Sequence, residues 1–148
     1  MPLPCQSQRF SAEGGAYDLA MRSRLLLVLA VVVPVGFATK FYAGPAQSWV
    51  HDHAGGFLYV VFWCLLALAL RPELSPWLVG CAVLVITSML EFLQLWHPPL
   101  LEAVRATFLG HALIGSSFSW SDLPYYGAGA LVAAGIARIC RATVSAVR

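Results

Sequence analysis

Residues 74–97 read LSPWLVGCAVLVITSMLEFLQLWH. From Ser75 to Trp96 the run carries one charged side chain, Glu91. A helix needs roughly 20 mostly apolar residues to cross a bilayer core, and this stretch supplies them. Three further runs share its character: LLLVLAVVVPVGFAT at 25–39, AGGFLYVVFWCLLALAL at 54–70 and LPYYGAGALVAAGIA at 123–137. None shows the two-residue alternation of barrel strands, and only helices or closed barrels span lipid. The sequence therefore predicts an all-α integral membrane protein, a four-helix bundle with spans at about 24–43, 53–71, 75–96 and 121–139.

Composition agrees. Of 148 residues 59% are hydrophobic and 11% charged, with a net charge of +2. Soluble domains carry about 25% charged residues, so this chain has too few to cover a water-facing surface. It is also too apolar for disorder. Nine basic residues form no stripe that would bind nucleic acid.

The charges set an orientation. Arg9, Arg22, Arg24, Arg71, Arg138, Arg141 and Arg148 fall at the N-terminus, second loop and C-terminus, whereas Lys40 and Arg105 fall opposite. The positive-inside rule then predicts a multi-pass protein of the plasma (inner) membrane with both termini cytoplasmic. Residues 1–20 lack a hydrophobic period and read as a disordered cytoplasmic tail, leaving 21–148 as a single membrane domain. MRSRLLLVLAVVV from Met21 resembles a translation start or a secretory signal. It is read as an uncleaved first span, because no small-x-small site follows it.

On this topology the unusual polar residues gather on the outer side. Glu91 lies about 9 Å deeper than His97 along its helix, and an intramembrane carboxylate marks a site by default. Thr87, Ser88 and Gln94 share its face. Asp52 and Asp122 stand at helix starts, where capping explains them as well as binding does. Below them lie Gly55, Gly56 and Tyr59, and Tyr125, Tyr126, Gly127 and Gly129. Arg105 is the cation placed to balance the acids. The candidate ligand-binding set is Asp52, Glu91, Gln94, Arg105, Asp122 and Tyr126, with Glu91 the one catalytic candidate. Leu100, Leu101, Val104 and Phe108 recur at helical spacing, so 99–109 reads as an interfacial helix on the outer leaflet, between the third and fourth spans.

Other chemistries find less support. His51, His53, His97, Glu91 and Asp122 match no zinc spacing, and no metal or cofactor is expected. Ser116, Ser117, Ser119 and Ser121 form no nucleophile elbow. Cys5, Cys64, Cys81 and Cys140 avoid the outward loops, so no disulfide is expected.

The elements Asp52-x-x-Gly55-Gly56-x-x-Tyr59, Glu91-x-x-Gln94-x-Trp96, Arg105-Ala106-Thr107-x-x-Gly110 and Phe118-Ser119-Trp120-Ser121-Asp122-x-x-x-Tyr126-Gly127-x-Gly129 stand in order. Over about 40–130 this resembles a small bacterial membrane family of unknown function. More distantly it resembles the VanZ family, which shares an intramembrane Glu-x-x-Gln, an Arg in the following loop, then an Asp and a Gly-rich helix. Trp96-His97-Pro98-Pro99 departs from the usual spacing to that Arg. The resemblance implies a role in the cell envelope, in a family associated with low-level resistance to teicoplanin.

Three functions follow for a membrane protein surrounded by lipid. The first is binding or acting on an envelope lipid headgroup, a glycolipid or a lipid-linked saccharide precursor, and the residues leave open whether that is enzymatic. The second is a structural or accessory subunit of a homo-oligomer or larger complex. The third is a transporter, ranked last because the cytoplasmic half has no matching polar residues.

Overall fold

The computed structural model describes residues 4–107, 109, 110, 113 and 118–146, except for the side chains of residues 4–14 and of Asp52. Phe108, His111, Ser116, Ser117 and Arg148 lie outside the described residues, as do the side chains of Cys5, Arg9 and Glu13. The described chain is all-helical. Its elements are α1 (Pro4–Thr39), α2 (Gln47–Trp49), a π-helical segment (Val50–Ala54), α3 (Gly55–Leu70), α4 (Pro76–Leu93), α5 (Pro99–Arg105) and α6 (Asp122–Ala146).

Three helices are long and apolar enough to cross a membrane: Gly15–Thr39, Pro76–Leu93 and Asp122–Ala146. The fourth expected span appears as the shorter apolar helix Gly55–Leu70. The π segment is what shortens it. Trp49, Ala54 and Gly55 all keep right-handed helical dihedrals, so the coil runs unbroken from Gln47 and only its hydrogen-bond register changes. Asp52 therefore lies inside a helical run and does not begin one. The start is Ala46, whose φ of 58° makes it the one left-handed non-glycine residue among those described.

The N-terminal segment also departs from expectation. Helical backbone begins at Pro4, where a disordered tail was expected. A missing hydrophobic period gives no sign of a buried face, and helix can form without one. Once the apolar span has nucleated, each further residue adds a hydrogen bond at little cost, and Gln, Arg, Ala, Glu and Leu all propagate helix well. Elsewhere the ends follow local chemistry. Ser75 is extended, Pro76 opens α4, and Pro98 and Pro99 stop it from continuing. The helix α5 ends at Arg105, short of the expected 109.

The helices α3 and α6 form the centre of the bundle, with α1 and α4 each packed against both. From α1 come Met21, Leu25 and Leu29, four residues apart on one face. The helix α3 adds Val60, Val61, Cys64, Leu65 and Leu68, and α6 adds Ala130, Ala133 and Ala137. The alanines form a smooth stripe that lets backbones approach closely. The opposite faces are apolar too. Leu27, Val31 and Phe37 of α1, Leu78, Ile86 and Met89 of α4, and Leu131 and Ile139 of α6 are all exposed. That much exposed apolar surface suits a lipid surround and not water.

The two ends of the bundle differ. At one end Arg24 donates to the Thr143 hydroxyl, and Arg141 donates to the carbonyls of Pro72 and Leu74, strapping the α3–α4 turn to α6. Arg138 sits 6.0 Å from the centre of the Trp77 ring. This is the arginine end. The other end, where α3 and α6 begin and α4 stops, holds Glu91, Glu102 and Asp122, whereas Glu73 sits beside Arg71 in the α3–α4 turn.

Gly129 marks the closest approach in the core: a Cβ there would lie 2.7 Å from the Phe57 carbonyl and 3.2 Å from Val60 Cβ. At Gly127, two residues away, a Cβ would meet nothing within 4 Å. Gly129→Ala should destabilise the detergent-purified protein by about 1–3 kcal/mol. Gly127→Ala should be neutral or slightly stabilising. Thermal unfolding of the two variants checks this, and equal melting temperatures would contradict the packing.

Candidate functional site

Glu91 is 2% exposed, close to the C-terminal end of α4. Its carboxylate is satisfied by three donors. The Tyr126 hydroxyl donates to Oε2 at 2.7 Å, the Ser119 backbone N–H to Oε1 at 2.7 Å, and Gln94 Nε2 to Oε2 at 3.3 Å. The donors come from α6, from the segment leading into it, and from α4 itself. Burying a carboxylate is costly unless its oxygens are hydrogen-bonded, and here both are. Thr87, expected on the same polar face, instead donates to its own helix at Val83 and Leu84.

The Ser119 donor is held by aromatic rings. Phe118 and Trp120, on either side of it, pack edge-on at 4.9 Å between centroids. Both also contact Phe92, at 5.7 and 5.8 Å. Because Phe92 follows Glu91, this cluster fixes the 118–120 backbone beside the carboxylate. Tyr126 reaches Glu91 because Gly56 leaves room for its ring: a Cβ on Gly56 would lie 2.7 Å from the ring edge.

Arg105 does not pair with Glu91. Its side chain is 4% exposed. Nη1 donates to the Trp96 carbonyl at 3.0 Å and to Glu102 Oε1 at 2.7 Å, and Nη2 donates to the Leu93 carbonyl at 2.8 Å. The expected balancing cation is thus a C-terminal clamp on α4. Helix C-termini favour cations, and the guanidinium fork reaches the last carbonyl of α4, Leu93, and that of Trp96 just beyond it. Neutral donors serve Glu91 in its place.

A second cluster stands beside the first. Asp122 Oδ1 lies 3.0 Å from His53 Nδ1, and both side chains are 17% exposed. The His53 ring stacks on Tyr125 at 4.5 Å and 14°. Trp49 meets both rings edge-on, and its indole Nε1 donates to the Tyr125 hydroxyl at 2.9 Å. The π segment is what carries His53 to Asp122. Nearby, His51 Nε2 contacts the Tyr42 carbonyl at 2.9 Å, and Tyr59 donates to the Leu113 carbonyl at 3.0 Å.

The six sequence candidates therefore divide. Glu91, Gln94 and Tyr126 come together, Asp122 pairs with a histidine, Arg105 clamps a helix end, and the Asp52 side chain lies outside the described ones. Four contributors escaped sequence reasoning. His53 was weighed as a metal ligand, Ser119 as a nucleophile and a motif residue, and Tyr125 was only placed below the acids; Trp49 had no assigned role. A Trp and a His four residues apart, as at 49 and 53, share a helix face, and that was the available signal. Among the described residues no group of three or more His, Cys, Asp or Glu could hold a metal ion.

Residues 45–130 match a family described as a protein of unknown function (DUF2809). The chain belongs to this family. The matched segment contains both carboxylate clusters and Arg105, and it stops before the arginine half of α6. No solved structure matches the chain.

Glu91→Gln keeps the shape but turns an amide N–H₂ toward a donor. It should lower stability by about 1–3 kcal/mol, and Tyr126→Phe by about 1. Because the two side chains share one hydrogen bond, the double variant should lose less than the sum. Thermal melts of the four proteins give the coupling, and strict additivity would contradict the contact.

Proposed function

We propose that this protein crosses a bacterial inner membrane four times and binds an envelope lipid headgroup or lipid-linked saccharide at its carboxylate end. In this reading Gln47–Leu70 is the fourth crossing. Its three-, five- and sixteen-residue pieces run on without a break, enough for a hydrocarbon core of about 30 Å. The arginine end is then cytoplasmic, and both termini lie there. The exposed Leu100 and Val104 of α5 rest on the outer leaflet as an interfacial helix. The distant VanZ resemblance belongs to the same reading and points to the cell envelope.

One observation carries the binding role. His53, Asp122, Tyr125 and Trp49 come from two separate segments and form a half-buried polar and aromatic patch where the helices begin. Aromatic faces beside a few convergent polar groups are how proteins hold small polar ligands. The Glu91 cluster supports a different part: closed and satisfied, it locks α4 to α6 beneath that patch. The same closure favours the second reading, a structural or accessory subunit, in which the whole end serves only to fix the bundle.

Reporter fusions test the topology. A fluorescent protein fused after Arg148 should fold and fluoresce, whereas alkaline phosphatase there should be inactive; the reverse result would overturn the orientation. Native mass spectrometry of the mildly solubilised protein tests the role. Envelope lipid should be retained by the wild type and lost with Asp122→Asn. A bare protein found only with a stoichiometric partner chain would favour the accessory subunit.

A further inference from the structure

We infer that the carboxylate end recognises a neutral polyhydroxyl headgroup, a hexose or glycerol type, through the second imidazole nitrogen of His53. This rests on the headgroup-binding reading above. Asp122 accepts at Nδ1, so in neutral His53 the proton sits on Nδ1 and Nε2 carries a lone pair. Among the described residues Nε2 makes no hydrogen bond. A group oriented and polarised in this way seeks a donor from outside, and a hydroxyl supplies one.

Two features argue against an anion. Arg105 is committed to Leu93, Trp96 and Glu102 and is nearly inaccessible, so no free guanidinium awaits a phosphate. The acids of this end, Asp52, Glu91, Glu102 and Asp122, outnumber Lys40 and Arg105. One feature argues against a quaternary ammonium. Trp49 meets His53 and Tyr125 edge-on at 6.3 and 5.9 Å, so the three rings fill the space that a cation cage would need. Trp49 is 49% exposed and offers a flat platform. A sugar ring presents C–H groups to such a surface and hydroxyls at its rim, matching Trp49 and His53 together.

The test uses the full chain in detergent, titrated by native mass spectrometry with three lipids: a monoglucosyl diacylglycerol, phosphatidylglycerol and phosphatidylethanolamine. The glucosyl lipid should bind tightest. His53→Phe keeps the ring stack and removes the acceptor, and it should weaken that lipid about tenfold or more while leaving phosphatidylglycerol unchanged. His53→Gln, whose Nε2 can bond Asp122 while its Oε1 remains an acceptor, should keep more of that affinity than His53→Phe, which separates loss of the acceptor from misfolding of the first variant. Unchanged glucosyl-lipid affinity in His53→Phe overturns the inference. If a phospholipid binds best and is lost only with Asp122→Asn or Trp49→Ala, the inference fails and the headgroup reading stands. If no carboxylate-end variant alters any of the three, both fail.

Discussion

A carboxylate buried in an apolar bundle must be met by donors on every side, and at Glu91 that requirement organises the end of the molecule around it. The donors cannot all come from one helix. Tyr126 must be delivered by α6, and the Ser119 N–H by the segment just before it. The positions of α4, α6 and their connection are therefore coupled through a single side chain. The aromatic cluster of Phe92, Phe118 and Trp120 then serves as scaffolding for one N–H bond.

The close contact of α3 and α6 meets the same requirement from below. Tyr126 could not lie flat enough to reach Glu91 if Gly56 had a side chain, and α3 and α6 could not approach if Gly129 had one. The bonds of Arg105 and Arg141 play matching parts at opposite ends, each tying loop or helix-end carbonyls to a guanidinium; the Leu93 carbonyl also accepts from the Trp96 N–H. The polar groups in this chain mostly hold backbone in place. His53 differs, with one nitrogen engaged on Asp122 and the other turned to no described partner.

Much of this was legible in the sequence because membrane spans impose strong constraints. The apolar runs, the arginine asymmetry, the depth of Glu91 and its proximity to Gln94 all follow from composition and helical spacing. Tyr126 was legible as part of a motif. The Glu102 partner of Arg105 was legible at i,i+3 spacing, but its bonds to the Leu93 and Trp96 carbonyls were not, because sequence shows that a cation is near acids and not which carbonyls a helix end offers it. His53 was overlooked because its partner is 69 residues away and because the π segment that aims it has no composition signature. The helical N-terminal segment was missed because periodicity reports a buried face and not helix formation itself.

The lock on Glu91 also has a temporal side. Its Ser119 and Tyr126 partners lie 28 and 35 residues further along the chain. On the proposed topology, a chain inserted from its N-terminus brings α4 into the bilayer before those partners are made. Glu91 then lacks its Ser119 and Tyr126 donors until α6 arrives. Biogenesis would thus include an obligatory last step, and a chain stalled or truncated before α6 would expose an unsatisfied acid within the membrane.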